Sequence, residues 1–457
     1  MVSSMLNKIY RVLIAFVCAG VLLSCEQDIF AGLEIEHSGN TSPRQESGRD
    51  YNREARNVLL LYSAGYNSIS SYLAEDIADL MKGDVPSSGR MNDILLIYSH
   101  QPASRGNYSV PTSPVLMRIY KGTDGTVVKD TLEVYPEGTC SASAVQLNKV
   151  LTYVNEHYSA KSYGMIFSSH ATGYLPSGYY TAPYSYKYQD KSGMMYRGGY
   201  REFYSQPVPY CEPQYDPSLP AVKSIGQDQV GTPGNYHSYE IELDDFAKAL
   251  PMKMDYILFD ACLMGGVEVA YELKDKCGYV GFSQAEVLAE GFDYTTLVSH
   301  LLGPETPNPQ AVCEDYFHQH EIQSGIYQSA TISIVDCTKM EPLADICHEM
   351  FDKYKDAISR LNPNNTEIQR YFRGDYHWFY DLKDIIIKAG ASEDEIHEVQ
   401  EALDKCVVYK AATPKFMGSF RIETYSGLSM YLQSQGTSEL DKYYRTLEWN
   451  KATLLVK

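Results

Sequence analysis

Basic residues are scarce in this chain. Its 457 residues hold 39 Lys and Arg against 58 Asp and Glu, which gives a formal net charge of −19. An acidic surface repels a phosphate backbone, so nucleic acid is excluded as the expected partner and basic substrates are favoured. With 44% hydrophobic and 21% charged residues, the composition is that of a globular protein and excludes wholesale disorder and fibrous classes.

The signature motifs of several enzyme classes are missing. The sequence has no HExxH zinc motif, no GxSxG serine-hydrolase motif and no glycine pattern for nucleotide phosphates. Its 10 cysteines lie at irregular spacings without a CxxC pair, which argues against a dense disulfide scaffold. We therefore expect at least one cysteine to stay free for chemistry.

Long hydrophobic runs are also missing. The apolar run Val12–Leu23 follows Lys8 and Arg11 and is shorter than the roughly 20 residues that span a bilayer, so it fits the core of a signal peptide. The Leu-Leu-Ser-Cys sequence ending at Cys25 resembles a bacterial lipobox, in which the cysteine is lipidated. An ordinary secretory signal or a short anchor is the alternative.

These N-terminal features predict where the chain is located in the cell. We expect a lipoprotein signal peptide over residues 1–24 and a flexible polar tether over 25–56, because the latter is poor in apolar residues. The body is then lipid-anchored to the bacterial cell envelope, at the outer membrane or the cell surface.

Short, continuous apolar runs alternate with helical patterns over residues 57–360. Continuous apolarity predicts strands that are buried on both faces of a parallel sheet. Alternation with helices predicts an α/β fold, in which a mostly parallel sheet is flanked by helices on both faces. The predicted strands are 57–63, 93–99, 115–120, 163–169, 254–260, 278–283 and 330–335.

Two regions depart from this alternation. Residues 171–236 form a long insert rich in Tyr, Gly, Pro and Ser, and such a stretch inside a domain is usually functional or disordered. Residues 361–457 are predicted to be mainly helical, with a returning strand at 427–432. A helix is also predicted to start at Ser141, with Val145 on its inner face.

Two predicted strands end at reactive side chains, His170 and Cys262. If the strands are neighbours in the sheet, their ends lie about 5 Å apart. A helix after Cys262 would favour its thiolate, which is a strong nucleophile, and an imidazole can protonate a leaving amine. The backbone N–H groups of Cys262 and of Ala171 could hold the developing oxyanion. A buried core cysteine and a loop histidine are the alternative interpretation.

The residues around Cys262 resemble a motif of a known protein family. The sequence Asp-Ala-Cys-Leu-Met over Asp260–Met264 and the amphipathic stretch after it resemble the nucleophile block of the clostripain family of cysteine peptidases. Val58–Asn67 is similar to that family's first strand, and Gly427–Tyr431 to its C-terminal strand. The likeness covers most of the chain from about residue 57 and implies a caspase-like fold.

The resemblance implies roles for individual residues. Cys262 becomes the nucleophile, His170 the general acid and base, and Asp260 the acid in the pocket for the side chain before the cut bond, which favours Arg or Lys. The alternative for Asp260 is that it caps the following helix. Glu286 and Glu290 are further candidates for the pocket, with surface carboxylates as their alternative.

Two further points follow from the resemblance. The family usually has Gly after the catalytic His, whereas this chain has Ala171, whose methyl group could crowd the oxyanion site. Related enzymes are often cleaved in the region of the insert, and the basic candidates there are Lys187, Lys191, Arg197 and Arg201. Calcium dependence is known in the family, but the sequence has no EF-hand loop from which to name ligands.

The sequence therefore predicts a lipid-anchored cysteine endopeptidase that cleaves protein or peptide substrates after basic residues. The alternative is a lipoprotein that keeps the peptidase fold, has lost turnover, and binds peptide or glycan through the Tyr-rich insert.

Overall fold

The computed structural model describes residues 54–87, 92–190, 228–232, 235–374 and 377–457, and the backbone of three two-residue strands between 196 and 209. The predicted signal peptide, Cys25 and all but the last residues of the tether lie outside the described residues. Within the described part of the chain, none of the helices has the length and apolar character needed to cross a membrane.

The strands are numbered in chain order. They are β1 (Ala55–Ala64), β2 (Asp93–His100), β3 (Val115–Lys121), β4 (Val127–Val134), β5 (Ala160–Ser168), β6 (Tyr196–Arg197), β7 (Tyr200–Arg201), β8 (Val208–Pro209), β9 (Asp228–Thr232), β10 (Asn235–Tyr239), β11 (Met254–Asp260), β12 (Cys277–Phe282), β13 (Thr331–Asp336), β14 (Tyr380–Asp381), β15 (Val407–Ala412), β16 (Lys415–Phe416), β17 (Phe420–Arg421) and β18 (Ser429–Met430).

The α-helices are numbered in the same way. They are α1 (Ser70–Lys82), α2 (Ala144–His157), α3 (Leu243–Ala249), α4 (Val267–Glu272), α5 (Tyr294–Leu301), α6 (Pro309–Glu321), α7 (Glu341–Lys353), α8 (Lys355–Arg360), α9 (Leu382–Lys388), α10 (Glu393–Cys406), α11 (Ser438–Tyr444) and α12 (Glu448–Thr453).

The central sheet has nine strands in the order β15-β13-β12-β11-β5-β1-β2-β3-β4. Its middle, from β12 to β2, is parallel, whereas β3, β4, β13 and β15 add antiparallel strands at the two edges. The predicted mostly parallel α/β sheet is confirmed. The strand order reverses at β1, because β2 lies on one side of it and β5 on the other.

The strands in the parallel middle of the sheet are continuous apolar runs because both faces of the sheet are buried there. Every residue of β2 is buried, and so is nearly every residue of β1. Helix α1 turns Leu73, Ile77 and Leu80 toward the core, which is the spacing of one helical face. The parallel middle of the sheet is therefore an internal layer of the domain.

Helix α2 begins later than the sequence predicted. Its N-cap is Ser143, whose side chain accepts a hydrogen bond from the backbone N–H of Gln146. Ser141 is not the cap because its hydroxyl lies 2.6 Å from the Tyr98 hydroxyl, inside the core. Val145 is 48% exposed, so its predicted inward position was wrong.

The insert returns to the body through β9, which pairs with β10 in a small antiparallel sheet. Asp228, the first residue of β9, is buried and accepts hydrogen bonds from the backbone N–H groups of Ser141 and Ala142. Burial raises the pKa of Asp228 to about 6, although those N–H donors oppose the shift. This carboxyl group anchors the returning end of the insert next to the start of α2.

The anchor makes stability depend on pH. The pKa of Asp228 rises from 3.8 to about 6 on folding, so its stabilising contribution is full below pH 3.8 and is lost as the pH rises through 6. The loss amounts to about 3 kcal/mol. The neighbouring His100 acts in the opposite direction, because burial lowers its pKa from 6.5 to about 3 and its unfolded form takes up the proton first as the pH falls. The contribution of Asp228 is therefore read from the difference between two proteins that both keep His100.

We expect Asp228→Asn to remove this part of the pH dependence. Between pH 4 and pH 7, the free energy of unfolding measured in urea should fall by about 2.5 kcal/mol more in the wild type than in the variant. Asp84→Asn, at an exposed position, should keep the wild-type slope. Parallel pH profiles for Asp228→Asn and the wild type would show that folding does not raise the pKa of Asp228.

The C-terminal segment completes the sheet as well as adding helices. Strand β15 follows α10 without a break and pairs antiparallel with β13 at the edge of the central sheet. The returning strand predicted over 427–432 is much shorter, because only Ser429–Met430 pairs, with β14. Gly427 precedes it at φ +89°, a conformation that breaks a regular strand.

Candidate active site

His170 and Cys262 follow two neighbouring strands. Strands β5 and β11 are parallel, and their last paired residues are Ser168 and Asp260. His170 and Cys262 each lie two residues beyond that pair, so their backbones leave the sheet side by side, at roughly the 4.8 Å spacing of adjacent strands. This edge also contains the reversal of strand order at β1, where sites in α/β sheets gather.

The two loops that carry these residues are in backbone contact. Gly173 has φ +61°, and a Cβ placed on it would lie 2.4 Å from the Leu263 carbonyl oxygen. Leu263 itself has φ +62°, an uncommon conformation for a side chain of this kind. The missing side chain of Gly173 therefore lets the loop after His170 pack directly on the loop after Cys262.

Cys262 is fully buried, and the segment after β12 supplies its hydrogen bonds. The Val287 backbone N–H donates to Sγ at 3.0 Å, and the Val287 carbonyl lies 3.6 Å from the same sulfur. The helix predicted after Cys262 is α4, but a turn separates it from the cysteine, because α4 begins at Val267 with Gly266 as its N-cap. The Val287 N–H, rather than the N-terminus of α4, is thus the hydrogen-bond donor described at this sulfur.

His170 is also buried, and its Nε2 lies 3.1 Å from the Ser68 hydroxyl. A cavity of about 50 Å³ lies beside it and is lined by His170, Ala171, Thr172, Gly173 and Met264 among others. Ala171, the predicted oxyanion donor beside the histidine, is 8% exposed. Its methyl group thus lies at the wall of this cavity.

Asp260 is the last residue of β11, two residues before Cys262. It is fully buried and accepts hydrogen bonds from the Ser168 hydroxyl at 3.1 Å and the Tyr294 hydroxyl at 2.7 Å. Burial raises the pKa of Tyr316 in α6, and the nearby charges of Asp260 and Cys262 raise it further. Asp260 does not cap α4, whose N-cap is Gly266.

Glu286 and Glu290 have different surroundings. Glu286 is 2% exposed and accepts two hydrogen bonds from Nε of Arg373, at 2.9 and 3.0 Å. Glu290 is exposed. Glu286 is therefore not a surface carboxylate, and it already forms an ion pair with Arg373 of the same chain.

Sequence reasoning missed three partners of these residues. Ser68 contacts His170, Val287 binds the sulfur of Cys262, and Arg373 binds Glu286. Each partner lies on a different element from the residue it contacts, and none belongs to a motif. The signal available for Ser68 was its place just after β1, the strand where the order reverses.

A calcium site would need a cluster of carboxylate oxygens. Among the residues that the structure describes, Glu242, Asp244 and Asp245 bring ligand oxygens within 4.8 Å of one another. Carboxylate oxygens suit Ca²⁺, which takes six to eight ligands. Lys248 Nζ already contacts the Asp244 carboxylate at 2.7 Å. Because this cation competes for the same oxygens, we do not assign a calcium site to the cluster.

The fold and the cysteine at the sheet edge define a cysteine peptidase of the α/β class. The model of the clostripain family matches residues 61–194 and 213–455. The chain therefore belongs to the clostripain family of cysteine peptidases.

Solved structures agree with this assignment. An inactive zymogen C11 protease from Parabacteroides distasonis is 25% identical, with a TM-score of 0.67 over 88% of this chain and 99% of that chain. The secreted C11 cysteine protease iotapain from Bacteroides thetaiotaomicron shares the fold at 22% identity, with a TM-score of 0.66 over 88% of this chain and 99% of that chain. No curated protein matches the chain.

Proposed function

We propose that this cysteine peptidase cleaves peptide bonds after Arg or Lys, with Cys262 as nucleophile and His170 as general acid and base. The observation that carries the proposal is the register of β5 and β11, which places the two residues at equivalent positions beyond neighbouring parallel strands. The backbone contact between Gly173 and Leu263 supports it, because it holds the two loops together.

The chemistry follows from these two side chains. The Cys262 thiolate attacks the carbonyl carbon of the substrate, and the carbonyl oxygen becomes an oxyanion that the N–H groups of Ala171 and Cys262 can hold. His170 gives its proton to the leaving amine as the C–N bond breaks, which leaves a thioester on the sulfur. His170 then takes a proton from water, whose oxygen attacks the thioester and releases the acid.

The preference for basic residues rests on Asp260. A cationic side chain offsets part of the desolvation cost of a buried carboxylate, and Asp260 lies at the end of β11, two residues before Cys262. An Arg or Lys side chain that enters beside the nucleophile would bring such a cation close to Asp260. Glu286 is a secondary candidate, and it would first have to release Arg373.

We propose that the described form is latent and matures by cleavage in the insert. Cys262 and Asp260 have no exposed surface, so a substrate reaches them only after covering residues move. Lys187 lies in the described part of the insert, whereas Lys191 and the side chains of Arg197 and Arg201 lie outside the described residues. An intact mass for a fully active preparation would refute this maturation.

We further propose lipid anchoring at Cys25, with the body in the cell envelope at the outer membrane or surface. The support is the lipobox-like sequence behind a short apolar run and a polar stretch long enough to act as a tether. Palmitate labelling that is unchanged in Cys25→Ala would refute it.

The test of the proposed reaction uses fluorogenic Arg, Lys and neutral peptides with reductant and calcium present. We expect Cys262→Ala to lower kcat/KM for Arg and Lys peptides at least about 1,000-fold, because loss of a covalent nucleophile removes most of the rate enhancement. The control is Cys347→Ala, a buried cysteine in α7, which should keep the activity. Equal signal from Cys262→Ala and the wild type would remove the proposal and favour the binding lipoprotein.

A further inference from the structure

The loop after β1 reaches the imidazole of His170. This loop comprises residues 65–69, between β1 and α1. Its half-buried Ser68 places Oγ 3.1 Å from Nε2 of His170. Because β1 and β5 are adjacent parallel strands, the loop and the histidine leave the same edge of the sheet.

Side-chain hydrogen bonds from Asn67 and from Tyr108 hold the loop in place. Asn67 donates from Nδ2 to the Ala64 carbonyl at 2.9 Å, and its Oδ1 accepts from the Ile69 backbone N–H at 3.2 Å. The Tyr108 hydroxyl donates to the Asn67 carbonyl at 2.9 Å. These hydrogen bonds fix Asn67 and Ile69, which are the two neighbours of Ser68 in the chain.

Two contacts tie the loop to its surroundings. The Ser169 hydroxyl, beside His170, donates to the Ala64 carbonyl at 3.0 Å. The Gln229 backbone N–H, in the returning strand of the insert, donates to the Tyr66 carbonyl at 2.8 Å. These hydrogen bonds fix the backbone of the Ser68 loop relative to the backbone next to His170.

We propose that Ser68 is a positioning residue for His170, which selects the ring nitrogen that carries the fixed proton. The proposal rests on the proposed function, in which His170 protonates the leaving amine and takes a proton from water. When the Ser68 Oγ accepts from Nε2–H, these proton transfers fall to Nδ1. The hydrogen bond made by one nitrogen sets the state of the other in this way.

The contact also persists when the ring is charged. After His170 takes a proton at Nδ1, Nε2–H remains a donor and the Ser68 oxygen still accepts from it. Hydrogen bonds to charged groups are stronger than neutral ones, so Ser68 stabilises the imidazolium form. Removing the hydroxyl should make the ring lose its proton at lower pH.

The kinetic test uses Ser68→Ala, Ser68→Thr and a matched control, Ser71→Ala, on the first turn of α1. We expect Ser68→Ala to lower kcat about 10- to 100-fold with KM nearly unchanged. The alkaline limb of its pH–rate profile should move to lower pH by about half a unit to one unit. Ser68→Thr should restore both, and Ser71→Ala should match the wild type. A lower kcat with an unmoved alkaline limb would overturn the proposal.

A second measurement does not depend on turnover. Spectra of ¹⁵N-histidine, with His170→Ala to identify the signal, report which ring nitrogen carries the proton. We expect an Nε2-protonated ring in the wild type and a mixture of tautomers in Ser68→Ala. Identical His170 signals and titration midpoints in both proteins would refute the role of Ser68, even if the wild type is inactive. A tautomer change without Cys262-dependent cleavage would instead refute the proposed function and leave Ser68 as the partner of the ring.

Discussion

Replacing Asp260 with asparagine is expected to lower kcat/KM for Arg and Lys peptides about 100- to 1,000-fold, and to change neutral peptides by less than about threefold. Removing one partner of a buried ion pair costs about 3–5 kcal/mol, which corresponds to this range or more. Asparagine has nearly the shape of aspartate and keeps an oxygen that accepts from Ser168 and Tyr294. The lost property is therefore the negative charge.

The measurement compares the ratio of kcat/KM for Arg and neutral peptides between the two proteins. The matched control is Asp255→Asn, in the same strand β11 but at its opposite, exposed end, where the carboxylate accepts from the Tyr163 backbone N–H at 2.9 Å. This control should leave the ratio unchanged. If Asp260→Asn lowered all peptides equally, Asp260 would support the sheet edge rather than recognise the substrate.

The parallel middle of the sheet could be predicted because burial on both faces leaves a plain pattern. Strands β1, β2, β5, β11 and β12 are continuous apolar runs, and each lies within a few residues of its predicted bounds. The positions of His170 and Cys262 followed from those bounds. Nothing in such a run encodes direction, however, so the antiparallel pairing of β3 and β13 could not be read from it.

The edges of the sheet gave weaker signals. Strand β4 is an outer strand whose residues alternate between exposed and half-buried, and its sequence carries Lys129, Asp130 and Glu133 among its few apolar residues. Strand β15 begins directly after α10, with no glycine or proline to mark the change. An edge strand needs only one partner, so its sequence is less constrained than that of a central strand.

The contacts of the site depend on residues that are far apart along the chain. Ser68 and His170 are separated by 102 positions, and Arg373 and Glu286 by 87. Local periodicity carries no information on such pairs. The family resemblance pointed to the nucleophile and the histidine, but the side chains that orient and cover them come from loops whose paths only the structure provides.

Replacing Gly173 with alanine is expected to lower kcat/KM for basic peptides about 100-fold and the free energy of unfolding by about 2–4 kcal/mol. Alanine at φ +61° costs about 1–2 kcal/mol by itself, and its methyl carbon would lie 2.4 Å from the Leu263 carbonyl oxygen. Leu263 is already at φ +62°, so it has little freedom to move away. The loops of His170 and Cys262 must therefore separate.

A displacement of about 1 Å between catalytic groups can lower the rate by two orders of magnitude. We therefore expect the activity of Gly173→Ala to fall even under conditions in which the variant is fully folded. Gly106→Ala separates the two causes, because Gly106 has φ +74° and no atom within 4 Å of the added carbon. That variant should show only the conformational cost in urea unfolding and keep its kcat/KM. If Gly173→Ala lost stability but kept full activity, the contact between the two loops would not set the distance between imidazole and sulfur, and the dyad would have to be held by other contacts.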